Sequence, residues 1–186
     1  MTVKDKLVDL YRRSSDPWGF ETSWYEERKR ALTLAALPEQ RYASGYEPGC
    51  STGVLSRELA FRCDRLIVSD FVPAALEQAR ARLKEFAHVC VAELAAPGGW
   101  PDERFDLIVL SELVYFLEPS QVDELAERVA SSCGPGATVL AVHWCGPIDD
   151  WALPAPEAHA RIQRVANLAR VSRHVERDFL LEVFQR

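Results

Sequence analysis

The stretch that decides the fold is Gly45-Tyr46-Glu47-Pro48-Gly49-Cys50-Ser51-Thr52-Gly53, followed by a helix-like run and then by Leu66-Ile67-Val68-Ser69-Asp70. It combines an apolar strand end, two glycines four residues apart, a helix N-terminus and an acidic residue closing the next strand. Such a loop is suited to a nucleoside-like ligand. Gly49 and Gly53 admit close approach of backbone N–H groups, and the following helix offers its positive end. Asp70 can accept two hydrogen bonds from a ribose diol.

Outward from this loop, the chain from residue 43 alternates strand and helix with the spacing of a parallel α/β sheet. Strand one ends at Glu47, strand two is Leu66 to Ser69, and Pro73 opens the next helix with Leu76, Ala79, Leu83 and Phe86 on its inner face. His88 to Ala92 reads as strand three. Phe105 to Leu110 is an apolar run of the kind a strand buried on both faces carries. Val122, Leu125, Ala126 and Val129 mark a helix ended by Gly134-Pro135-Gly136, and Ala137 to Trp144 is strand five. A helix of about Glu157 to Leu168 precedes two short strands, Val171 to Val175 and Phe179 to Phe184. Only three residues join them, too few for a parallel crossover, so they pair as an antiparallel hairpin.

Upstream, an amphipathic run with Leu7, Val8, Leu10 and Tyr11 is followed by the breaker Ser14 to Phe20. Ser23 and Glu26 have the spacing of a capping box ahead of a second helix carrying Trp24, Ala31, Leu32 and Ala35 and closed by Pro38. These segments read as a flap over the ligand loop. One domain over 1–186 is therefore expected, with a helical flap (1–38), a cofactor-binding core (43–145) and an acceptor-side loop, helix and terminal hairpin (146–186).

Composition bounds the function. The 28 acidic and 22 basic residues give a formal net charge of −6, the wrong sign for gripping nucleic acid phosphates, so a small-molecule partner is expected and a nucleic acid is not. Five cysteines form no CxxC pair, no secretory leader is read, and no apolar run reaches membrane-spanning length. A cytoplasmic protein that avoids membranes is the expectation. His88, His159 and His174 lack metal-ligand spacing with one another or with the cysteines, and no metal is expected.

A dinucleotide-binding loop would read GxGxxG, and Cys50 stands where its middle glycine would be. The GxxxG spacing after an acidic residue, Asp70, Glu93 ending strand three, the Phe-Asp-Leu-Ile-Val strand and the terminal hairpin together resemble class I S-adenosylmethionine-dependent methyltransferases. Further runs narrow the likeness: Asp16-Pro17-Trp18-Gly19-Phe20-Glu21-Thr22-Ser23-Trp24-Tyr25-Glu26, Ala31 to Ala35, Glu47 to Ser51, Leu110-Ser111-Glu112 and His143-Trp144. These resemble the nodulation protein S family of small N-methyltransferases, over nearly the whole chain.

The resemblance implies a Rossmann-like seven-stranded sheet, mostly parallel with an antiparallel last strand and helices on both faces. It implies S-adenosylmethionine as cofactor and S-adenosylhomocysteine as product. Glu47, Gly49 and Gly53 would surround the methionine part, Asp70 the ribose, and Phe71, Glu93 and Leu94 the adenine. Trp18 and Ser111 join this set, and Arg28, with Lys29 beside it, would pair with the cofactor carboxylate. Trp18, Trp24, Tyr25 and Tyr115 could offer an aromatic face to the sulfonium or to a cationic acceptor. The acceptor would be a small-molecule amine, an aminosugar or a relative, held by Tyr115, Trp144 and Asp150 with Asp149 and Trp151 nearby.

An ammonium acceptor must lose a proton before it attacks. His143, at the carboxyl end of strand five, is the expected base, and Glu112, at the end of strand four, is the second catalytic candidate. A monomer or weak homodimer is expected. The alternatives at this point are an O-methyltransferase of natural-product metabolism, a nicotinamide oxidoreductase and a cofactor-binding module without catalysis.

Overall fold

The chain winds outward from β1, crosses back, and winds outward the other way, and that reversal positions everything below. In the computed structural model, which describes residues 2–146 and 153–186, strands β1 (Tyr42–Pro48), β2 (Cys63–Asp70) and β3 (Val89–Glu93) run parallel. The chain then returns to place β4 (Phe105–Ser111) on the free edge of β1, with Gly45 opposite Leu107 and Tyr46 opposite Ile108. Strand β5 (Cys133–Trp144) follows in parallel, and β7 (Phe179–Gln185) inserts antiparallel between β5 and β6 (Ala169–Val175). The resulting order is β3-β2-β1-β4-β5-β7-β6. Loops leaving the carboxyl ends of β1 and β4 diverge at the reversal, and a crevice opens between them.

Period-two alternation explains how one sheet feeds two cores. Tyr46, Ile108, Leu110, Val139, Ala141 and Phe184 face one side, where α5 (Pro119–Ser132) and α6 (Ala155–Val165) cover them. Leu66, Val68, Leu107, Val109, Leu140, Val142 and Val183 face the other, under α3 (Val54–Ala60) and α4 (Pro73–Leu83). Strand β4 therefore has no polar face to show, and its apolar run is the sequence expression of double burial. Helices α1 (Val3–Arg13) and α2 (Trp24–Ala36) lie over the crevice, with Leu7 and Tyr11 of α1 packed on Val72 and Ala75.

The seven strands, the mostly parallel sheet and the closing antiparallel hairpin agree with the sequence reading. Two local expectations are corrected. Gly134-Pro135-Gly136, expected as a turn, lies within β5: Cys133 pairs with Phe105, the Gly136 N–H donates to the Arg186 carbonyl, and the register shifts before Thr138. Ser23 is the N-cap of α2 but makes no side-chain capping bond, and the Glu26 side chain turns inward to Lys29 instead of back to the Ser23 N–H. A capping box does form at α1, between Thr2 and Asp5.

Candidate active site

A cavity of about 890 Å³ fills the crevice under α1 and α2, at the large end of the range for ligand pockets. Its two ends are built by different means.

The first end is backbone. Between β1 and α3 the chain takes left-handed conformations at Gly49 (φ 73°), Ser51 (φ 52°) and Gly53 (φ 77°). The Ser51 N–H is held by Asp70 Oδ2 at 2.9 Å, and Asp70 Oδ1 accepts the N–H groups of Phe71 (2.7 Å) and Val72 (2.9 Å). Asp70 thus ties the loop after β1 to the end of β2. Three bonds leave its two oxygens with further lone-pair capacity on the cavity side. Burial raises its pKa against the pull of those three N–H groups. Phe71 and Leu94 add apolar walls, and Trp18 reaches in from the flap, its indole N–H donating to the Tyr11 hydroxyl at 3.1 Å. That hydroxyl lies 2.5 Å from Ser51 Oγ, so α1 is pinned to the loop.

Glu47 lines the same end at 2% exposure, with its carboxyl accepting from the Ser56 hydroxyl. Burial pushes it up to about 8, so the group is largely protonated at neutral pH. Cys50 also lines the cavity, but burial drives its thiol well above the usual range, which removes thiolate reactivity.

The second end is made of side chains from distant segments. Lys29 Nζ of α2 sits 2.9 Å from Glu26 Oε1 and 2.5 Å from Glu112 Oε1, and 4.8 Å from the centre of the Tyr25 ring. Glu112, just past β4, holds a left-handed backbone (φ 51°), which costs a non-glycine residue about 1–2 kcal/mol. Its N–H donates to the Val142 carbonyl, and its Oε2 accepts both the Trp144 N–H (3.1 Å) and the Tyr115 hydroxyl. The surroundings over-determine the conformation, as functional sites with strained backbones require. Burial raises the Glu26 carboxyl above its usual range, and burial with the Glu112 charge raises the Tyr115 phenol. Ser111, Tyr115 and Trp144 line this end.

Four expected site residues lie elsewhere. His143 is fully buried and faces α6 rather than the cavity; its Nε2 accepts the Val114 N–H (3.2 Å) and its Nδ1 meets His159 Nε2 at 2.8 Å. With both ring nitrogens engaged, and the pKa held well below the usual range by burial and His159, it cannot serve as the base at the acceptor. Arg28 points outward into a bidentate pair with Glu176, at 2.6 and 2.7 Å. Gly53 serves packing: a Cβ there would sit 3.2 Å from Ala79 of α4. Glu93 is exposed at the end of β3, outside the cavity wall that its neighbour Leu94 forms. Asp150, with Asp149 and Trp151, lies outside the described residues.

Sequence reasoning used Glu26 for a cap and missed its place in the site, and it paired Lys29 with the wrong task. A signal was present: Glu26, Lys29 and Thr33 recur at helical spacing and are all buried, a polar stripe on the inner face of α2. Such a stripe marks a helix that faces a cavity instead of a core. Among the described residues no cluster of metal-ligating side chains occurs, and no helix is long and apolar enough to cross a membrane.

Comparison with known proteins follows the same lines. A protein from Pseudomonas syringae described as a methyltransferase is 42% identical, superposes with a TM-score of 0.78, and covers 88% of this chain and all of its own. The N-methyltransferase NodS of Bradyrhizobium japonicum WM9, in complex with S-adenosyl-L-homocysteine, superposes with a TM-score of 0.88 over 97% of both chains at 24% identity. The fold is thus the Rossmann-like fold of class I S-adenosylmethionine-dependent methyltransferases. By sequence, nodulation protein S of Rhizobium tropici is 33% identical over 113 residues, which are 60% of this chain and 48% of that protein. Nodulation protein S of Bradyrhizobium diazoefficiens is 31% identical over 137 residues, 73% of this chain and 66% of its own length. The sequence model for "Nodulation protein S (NodS)" matches residues 3–131, more than half of the chain. On that match, the chain belongs to the nodulation protein S family.

Proposed function

We propose that the protein transfers a methyl group from S-adenosylmethionine to an amine nitrogen of a small-molecule acceptor. The observation that carries this reading is one continuous cavity with a nucleoside-suited backbone cradle at one end and an anionic, aromatic cluster at the other. Relatives named as N-methyltransferases, one of them solved with S-adenosyl-L-homocysteine, support both halves.

The cradle fits the donor on its own chemistry. Asp70 retains lone pairs for the ribose hydroxyls, Gly49 has no side chain to block the approach to the loop, and Phe71 with Leu94 supplies an apolar slot for a flat base. A protonated Glu47 keeps a second negative charge away from the ligand carboxylate. When bound, the donor supplies a methyl group on a sulfonium, which departs as a neutral thioether.

At the other end the chain orients the acceptor. Glu112 receives the acceptor ammonium, Tyr25 and Tyr115 flank it with rings, and Trp144 forms the wall beyond. Proton removal falls to Glu26, whose buried carboxylate binds a proton more readily than an exposed one. The freed nitrogen lone pair then attacks in line. Holding the reactants in that line can contribute about 7–11 kcal/mol to the barrier reduction. The helices α1 and α2 close the cavity and limit water access.

Titration calorimetry tests the donor half. S-adenosylhomocysteine should bind in the micromolar range and NADH should not; preference for NADH would sink the reading in favour of an oxidoreductase. Donor binding without transfer to any amine or hydroxyl compound in a broad panel would favour a module without catalysis.

A further inference from the structure

Behind the acceptor end lies a buried polar chain that the proposed reaction does not itself use. Glu182 of β7, His159 of α6 and His143 of β5 are 4%, 0% and 0% exposed. Glu182 Oε2 lies 3.0 Å from His159 Nδ1, His159 Nε2 lies 2.8 Å from His143 Nδ1, and His143 Nε2 lies 3.2 Å from the Val114 nitrogen. We propose that Glu182, His159 and His143 are positioning residues: a one-way hydrogen-bond relay that fixes the Val114 amide and, through the turn it opens, sets Tyr115 against Glu112. The proposal rests on the acceptor site argued above.

Proton counting gives the relay its direction. The Val114 N–H can only donate, so His143 must present a bare Nε2 and carry its proton on Nδ1. That proton then donates to a bare His159 Nε2, and His159 in turn donates its Nδ1 proton to Glu182. Each neutral imidazole makes one donor and one acceptor bond, and no buried nitrogen is left over. The carboxylate at the far end, which can only accept, fixes the same sense from the other side. It is kept ionised: although burial raises its pKa, His159 and Arg170 hold it below the usual range. Its other oxygen, Oε1, takes Arg170 at 2.8 Å and Arg173 at 3.2 Å.

The near end reaches the site through a short path. Val114 begins the 3-10 turn Val114–Phe116, whose second residue is Tyr115, and the Tyr115 hydroxyl donates to Glu112 Oε2. The Tyr115 ring also meets the His143 ring edge-on at 5.8 Å between centres. A donor on His143 Nε2 would face the Val114 N–H with another N–H, and the turn would have to shift.

Glu182→Gln separates this role from simple packing because it keeps shape and volume. A glutamine carbonyl turned to Arg170 and Arg173 leaves its NH₂ donating to His159 Nδ1. The whole chain then reverses, and both histidines carry their protons on Nε2. Removing the cations in E182Q/R170Q/R173Q frees the carbonyl to face His159 and restores the original sense.

The experiment is 15N NMR of histidine-labelled full-length protein, with methyl-transfer kinetics on the same samples. Expected are neutral Nδ1–H tautomers at His143 and His159 in the native chain and Nε2–H tautomers in E182Q. Turnover in E182Q should fall about tenfold to a hundredfold, the scale of small misplacements at a reacting centre, with S-adenosylhomocysteine affinity unchanged. The triple variant should regain both the tautomers and most of the turnover. Native histidines that are protonated, or carry Nε2–H, would overturn the relay, and so would reversed tautomers with turnover intact. The tautomers are read without any acceptor, so failure to find methyl transfer would count against the proposed reaction and not against the relay.

Discussion

The two ends of the cavity are built by opposite means. The donor end is built around one local segment, Glu47 to Ser51, fixed by backbone geometry and by one carboxylate at the next strand end. The acceptor end draws Glu26 and Lys29 from α2, Glu112 and Tyr115 from the segment after β4, and Trp144 from β5, and it is fixed by charge. A backbone-built site suits a ligand that stays the same across many reactions. A side-chain-built site can change its acceptor by changing a few residues while the donor end is left alone.

Substitutions at the two ends should therefore separate turnover from donor affinity. The largest effect is expected from Glu112→Gln, which keeps the shape but removes the charge that Lys29 and Tyr115 contact and that the proposed acceptor would share. Methyl transfer should fall by about 10²-fold or more, the usual size of a lost charge or acid–base group, with S-adenosylhomocysteine affinity within about twofold by calorimetry. Asp70→Ala should act in the reverse sense. It removes the acceptor of three backbone N–H bonds as well as the proposed ribose contact, and donor affinity should drop by about tenfold or more before any change in the acceptor's KM.

The same contrast explains what was legible in the sequence. The strands along the chain, the closing hairpin and the donor loop depend on periodicity, glycine placement and chain reach, which are local properties. His143 shows where that stops: its position at the end of β5 follows from the pattern, but its side chain faces α6 because strand alternation sends it to the face opposite Val142. Arg28 and Lys29 are neighbours on α2, and helical phase alone turns Lys29 inward and Arg28 out to Glu176. Glu26, read as a cap, is pulled into the site by Lys29, three residues away, whose ammonium also binds Glu112, 86 positions beyond Glu26. No local rule could couple Glu26 to Glu112.

Smaller effects test the scaffold between the ends. Gly53→Ala puts a Cβ against Ala79 at a left-handed position, and should cost about 1–3 kcal/mol of stability in denaturant unfolding. Glu47 gives a pH dependence with a defined sign. Its folded pKa, about 8, is raised from 4.5, so its contribution to stability is fully present below about 4.5 and is lost as pH rises through 8. Glu47→Gln, which cannot ionise, should gain on the native chain by about 1 kcal/mol per pH unit across that window, and the difference should level off above it. Smallest of all should be Arg28→Ala. An exposed ion pair of this kind contributes little, and neither melting temperature nor donor affinity should move measurably.

The central claim is that the cavity joins a methyl donor to an amine. The most direct measurement supplies methyl-labelled S-adenosylmethionine to the native protein with an aminosugar and, in a parallel reaction, with the same sugar N-acetylated. Label on the nitrogen of the free amine and none on the acetylated compound is the predicted result. Equal labelling of both, which would place the methyl group on a hydroxyl, would contradict it.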